Sequence, residues 1–104
     1  MLIAITDDHQ VEVTEREDLN RLAVNAGGHS MEDVVRALIS AGSGTGSDAD
    51  HVNLSIDALR AYALDGAPQP NERAFNAMIA YAVAQGWVHG ESVRAHVVNL
   101  AAVL

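Results

Sequence analysis

Glycine punctuation limits what this chain can build more than any other feature. The eight glycines stand at Gly27-Gly28, Gly42, Gly44, Gly46, Gly66, Gly86 and Gly90, and most follow a short segment of patterned apolar residues. Glycine lacks Cβ and tolerates positive φ, so it closes helices and turns rather than extending them. The segments between these breaks have room only for short strands and short helices. None approaches the roughly 18 or more apolar residues of a membrane span.

Residues 2–6 are apolar and rich in β-formers, Asp7-Asp8-His9-Gln10 is a polar break, and Val11-Glu12-Val13-Thr14 alternates. This pattern predicts an N-terminal β-hairpin. Thr14-Glu15-Arg16-Glu17 has capping-box spacing, and Leu19, Leu22, Ala23 and Ala26 follow helical spacing, so a first helix is expected before Gly27-Gly28. Ser30 is placed to cap a second helix, with Glu32 and Asp33 suiting its dipole, an apolar face of Met31, Val34, Val35, Leu38 and Ala41, and a stop at Gly42. Residues 42–50, Gly-Ser-Gly-Thr-Gly-Ser-Asp-Ala-Asp, read as a flexible loop, because such a composition is costly to order.

His51-Val52-Asn53-Leu54 suits a short strand or the lead-in to a third helix, capped by Asn53 or Ser55 and carrying Ile56, Leu59, Ala63 and Leu64 inward. Asp65-Gly66 closes it, and Ala67-Pro68-Gln69-Pro70 is a stiff connector. Asn71 looks like the cap of a fourth helix over about 72–85, where Phe75, Met78, Ile79 and Ala82 form a stripe. Trp87-Val88 and Val93 to Val98 resemble a second hairpin. The expectation is one α+β domain over residues 1–104. It has an N-terminal β-hairpin, four short helices and a C-terminal β-hairpin, and the two hairpins are able to share one small antiparallel sheet packed by helices.

Composition narrows the partners. Apolar residues make up 49% of the chain but aromatics only 4%, so the core must be aliphatic and closely packed. The net charge is -8, and all six basic residues are arginine. An acidic chain does not suit direct contact with nucleic-acid phosphates or anionic membranes, but it allows a basic protein partner. Cysteine is absent, so disulfides and thiolate sites are excluded, and a reducing compartment fits. The opening residues, Met1-Leu2-Ile3-Ala4-Ile5-Thr6-Asp7-Asp8, lack the basic flank and long apolar run of a secretory signal, which makes cytoplasm the expected location.

No motif specifies a chemistry or a cofactor. Gly42, Gly44 and Gly46 imitate part of a phosphate loop, but a helix is expected before them, acids follow, and no lysine stands in the Walker position. Asp48 and Asp50 begin like a calcium loop without its glycine and distal glutamate. The five histidines, His9, His29, His51, His89 and His96, show no zinc-binding spacing. The two helices around Gly27-Gly28 allow a winged-helix-like comparison, yet Glu32 and Asp33 oppose phosphate contact there.

The first functional reading is a small acidic interaction module that binds a protein partner or itself, as in a homodimer. The apolar C-terminus motivates it, with Trp87, Val97, Val98, Leu100, Val103 and Leu104 as interface candidates. The alternative is a small enzyme or a ligand- or metal-binding protein using His9, His51, Asp7, Asp48 and Asp50. Two of those side chains within hydrogen-bond reach beside a pocket would favour it. An acidic mimic of nucleic acid ranks below both, since the acids are spread along the chain.

Overall fold

The computed structural model describes residues 1–15, 18, 22–64 and 70–101. In chain order the elements are β1 (Leu2–Ile5), β2 (Val11–Thr14), β3 (Ala23–Asn25), α1 (Met31–Ser40), β4 (Gly44–Asp48), β5 (His51–Ser55), α2 (Ile56–Leu64), α3 (Pro70–Ala84), β6 (Val88–His89) and β7 (Ser92–Val98). The strands form one sheet in the order β2-β1-β3-β7-β5-β4, with β6 also paired to β7. β1–β3 and β3–β7 are parallel and the other pairs antiparallel, so the sheet is mixed rather than antiparallel throughout. The architecture is α+β.

The expected first helix is corrected at its C-terminal end, and the described residues contain three helices rather than four. Glu15 has φ 51, which is not a helical start, and Ala23–Asn25 is a strand. The rest of that expected helix, residues 16, 17 and 19–21, lies outside the described residues. Val24 and Ala26 are both fully buried, and Val24 pairs with Ile3 of β1 and Val97 of β7. Two flanking strands satisfy the backbone of β3 from both sides, and this non-local pairing overrides a helical spacing carried mostly by small residues. The Gly27-Gly28 turn therefore follows a strand, not a helix.

The glycine-rich stretch expected to be a loop is also corrected, because Gly44–Asp48 pairs with β5 as strand β4. A Cβ on Gly44 would stand 2.3 Å from the Asn53 carbonyl oxygen, and one on Gly46 would stand 3.3 Å from Val35 Cγ2 of α1. Glycine here permits close approach of a neighbouring strand and a covering helix. A bulge between Gly46 and Asp48 then turns the chain towards Asp50.

Local signals hold at both ends of α1 and at the start of α2. Ser30 Oγ accepts the Asp33 N–H at 3.2 Å and caps α1, while Gly42 leaves the helix at φ 69. Ser55 Oγ accepts the Ala58 N–H at 3.2 Å at the start of α2. Asn71 lies inside α3 rather than ahead of it, and Pro70 takes the first helical position, where its missing N–H costs nothing. Ile3, Ile5, Val24, Val52, Leu54, Val93, Ala95 and Val97 are buried on one sheet face together with Val34, Leu38, Leu59, Ala63 and Phe75 from the helices. By the period of two, His51, Asn53, Arg94 and His96 project to the opposite face. No helix among the described residues is long and apolar enough to cross a membrane.

Candidate functional site

The β5–β7 register sets His51 directly opposite His96 and Asn53 opposite Arg94. The β4–β5 turn then delivers Asp48 and Asp50 to the same patch. Asp50 donates its N–H to Asp48 Oδ1 at 3.3 Å, and the Val97 N–H donates to the Asp50 carbonyl at 2.8 Å, so the turn is tied both to itself and to β7.

Around His51 the groups converge closely. Nδ1 lies 3.0 Å from Asp48 Oδ1 and 2.7 Å from Asp50 Oδ1. Arg94 Nη2 pairs with Asp48 Oδ2 and stands 3.3 Å from His51 Nδ1. With two carboxylates facing it, Nδ1 carries the proton, and the Arg94 approach is then a contact rather than a hydrogen bond. His96 Nδ1 is 3.9 Å from Asp50 Oδ2, and the two imidazoles meet edge to face with centroids 5.1 Å apart. Desolvation works against ionisation of Asp48. The Asp50 N–H, the His51 ring and the Arg94 guanidinium together outweigh it and hold the Asp48 carboxyl down at about 2, from an ordinary 3.8.

A cavity of about 260 Å³ adjoins this patch between β7 and α3. Met78, Ile79 and Ala82 of α3 line it on the apolar side, Tyr81 and Trp87 flank it, and His51, Arg94 and His96 line its polar end. Tyr81 and Trp87 touch edge to face with centroids 5.8 Å apart. Arg94 Nε is buried without a hydrogen-bond partner among the described residues.

A second group, His9, His29 and Asp33, forms on other elements of the fold. His9, at φ 61 in the β1–β2 turn, packs its ring against His29 at a tilt of 44°, with ring centroids 4.4 Å apart. Its Nε2 is 3.7 Å from Asp33 Oδ2 in the first turn of α1.

Of the sequence-derived candidates, Asp48, Asp50 and His51 come together, His9 joins the other group, and Asp7 is exposed and belongs to neither. His29, Asp33, Arg94 and His96 were not singled out in the sequence. Alternation of Val93, Ala95 and Val97 would have put Arg94 and His96 on one face, but nothing local pairs that face with residues 48–51. Among the interface candidates, Trp87 is 42% exposed, whereas Val97 is 3% exposed and sits in the core of this chain. Val98 and Leu100 are half-buried, and Val103 and Leu104 lie outside the described residues. No protein-family model, curated protein or solved structure matches the chain.

Proposed function

We propose that this protein binds a divalent transition-metal ion through Asp50, His51 and His96, and a small ligand in the adjoining cavity. The observation that carries this reading is the placement of one carboxylate between two imidazoles, at 2.7 Å from His51 Nδ1 and 3.9 Å from His96 Nδ1. Donor atoms of the three residues all lie within 4.8 Å of one another. Ligands bound at roughly 2.0–2.2 Å to a common ion stand about 3–4 Å apart, so modest side-chain rotation closes the set. Two imidazoles with one carboxylate suit zinc, nickel, copper or iron better than calcium or magnesium, which take all-oxygen shells.

Three protein ligands leave coordination positions for a ligand or water. The cavity offers an apolar floor on α3 with polar groups at one end, the usual composition of a small-molecule site. The unpartnered Arg94 Nε favours a ligand that brings a hydrogen-bond acceptor to that end, since a buried donor left unpaired is costly. Asp48 stands beside the set, with Arg94 as its counter-ion.

Self-association stands second. Trp87 remains exposed for it, but Val97 is occupied inside this chain.

Calorimetric titration of EDTA-treated protein with ZnCl₂ tests the metal reading. His96→Ala should remove one binding equivalent, or weaken it more than tenfold, and His51→Ala should do the same, with circular dichroism unchanged. Zinc isotherms of both variants indistinguishable from that of the parent protein would overturn the proposal.

A further inference from the structure

The group around His29 has features that the sheet cluster lacks. His29 precedes the Ser30 cap of α1, and its backbone is held on both sides: its N–H donates to the Ala26 carbonyl at 3.0 Å, and its carbonyl accepts the Ala101 N–H at 3.0 Å. Its Nε2 lies 2.8 Å from the Thr6 carbonyl oxygen. A carbonyl only accepts, so Nε2 carries the proton, and Nδ1 is left with the lone pair. A neutral imidazole with one nitrogen donating to a main-chain carbonyl and the other free is the usual state of a metal-bound histidine.

His9 reaches the same place from the β1–β2 turn. The Thr6 N–H donates to the Gln10 carbonyl at 2.9 Å, and the His9 N–H donates to the Thr6 carbonyl at 3.0 Å. Within this closed turn His9 takes a left-handed conformation, unusual for a residue with a side chain, and its ring lies on His29. Asp33 completes the set from α1. Its Oδ2 faces His9, while its Oδ1 is 3.6 Å from Arg36 Nη1, and Arg36 Nη2 pairs with Glu32 at 3.0 Å. Donor atoms of His9, His29 and Asp33 all fall within 4.8 Å of one another.

We infer that His9, His29 and Asp33 form a separate binding site for a transition-metal cation, with two imidazoles and one carboxylate as ligands and the Thr6 carbonyl as the group that sets the His29 tautomer. Its three ligands come from the β1–β2 turn, the segment after β3 and the first turn of α1. An ion there pins the N-terminal hairpin to the helix, so its role is structural. The chain's charge of -8 favours cation uptake at both places. This inference rests on its own residues and does not require the sheet cluster to bind metal.

Zinc titration of EDTA-treated full-length protein, read by calorimetry and by thermal melting, decides it. His29→Ala should remove one zinc equivalent and abolish at least part of the zinc-induced rise in Tm, because an ion that binds only the folded state stabilises it by mass action. His9→Ala, at an exposed turn position, should give the same loss. If both sites bind, His29→Ala and His96→Ala each lose one equivalent and the double variant loses two. If only this site binds, His29→Ala loses all zinc and His96→Ala none. Equal stoichiometry, affinity and Tm rise in the parent protein, His9→Ala and a folded His29→Ala would overturn the inference, whatever His96→Ala does.

Discussion

The two histidine groups offer the same donors, two imidazoles and a carboxylate, but the fold holds them differently. His51 and His96 are neighbours in a strand register, and the acids beside them are already engaged: Asp48 by Arg94, and Asp50 by His51. His9 and His29 meet where a turn abuts a helix start, and a main-chain carbonyl rather than a carboxylate accepts the His29 Nε2–H. In the first group an incoming ion must compete with a proton and reorganise an ion-pair network. In the second the tautomer is already chosen. If both groups bind metal as proposed, coordination in the sheet cluster should depend more on its scaffold and counter-ions, and that in the turn cluster more on the helix cap.

The scaffold dependence gives the largest expected effect. Gly44→Ala forces a methyl group against the Asn53 carbonyl oxygen, a backbone atom that cannot swing aside. The cost should be about 3 kcal/mol, at the upper end for overpacking, which lowers Tm by roughly 12 °C or more. Because β4 leads into Asp48 and Asp50, zinc affinity at the sheet cluster should fall while the His9–His29–Asp33 equivalent is retained in the folded fraction. A calorimetric titration that shows both equivalents weakened alike would break the comparison.

Ser30→Ala acts on the other side. It removes the oxygen that accepts the Asp33 N–H and so loosens the first turn of α1. The expected loss is about 1 kcal/mol, or roughly 4–8 °C in Tm. Metal affinity should weaken at the turn cluster and not at the sheet cluster, which His96→Ala and His29→Ala backgrounds separate.

The smallest effect is a dependence on pH. The Asp48 carboxyl titrates at about 2 in the folded chain against an ordinary 3.8, so the folded state binds the proton more weakly than the unfolded one. The stabilisation is complete above 3.8 and disappears as pH falls towards about 2. Thermal melts of the parent protein and Asp48→Asn should therefore differ by a constant amount at pH 5 and above, and converge between 3.8 and 2. A difference that persists undiminished at pH 2 would mean that Asp48 acts by packing rather than by charge.

The sheet cluster was only half legible in the sequence. Asp48, Asp50 and His51 stand within four residues, and their proximity needed no tertiary information. Arg94 and His96 lie more than 40 positions further on, and only strand pairing brings them alongside. His29 was hidden for a related reason: its role depends on the Thr6 carbonyl of another turn.

Short-range chemistry was enough to predict both hairpins, the Ser30 cap, the Gly42 stop and the helices over Phe75 and Leu59, because each depends on groups within a few residues of one another. β3 was decided by tertiary structure. A segment with helical spacing and small side chains becomes a strand when strands on both sides complete its hydrogen bonds and its Val24 fills the space between Ile3 and Val97. β4 was decided in the same way. Glycine in the sequence signals conformational freedom, and only the positions of Asn53 and Val35 show that its missing side chain is what the packing requires.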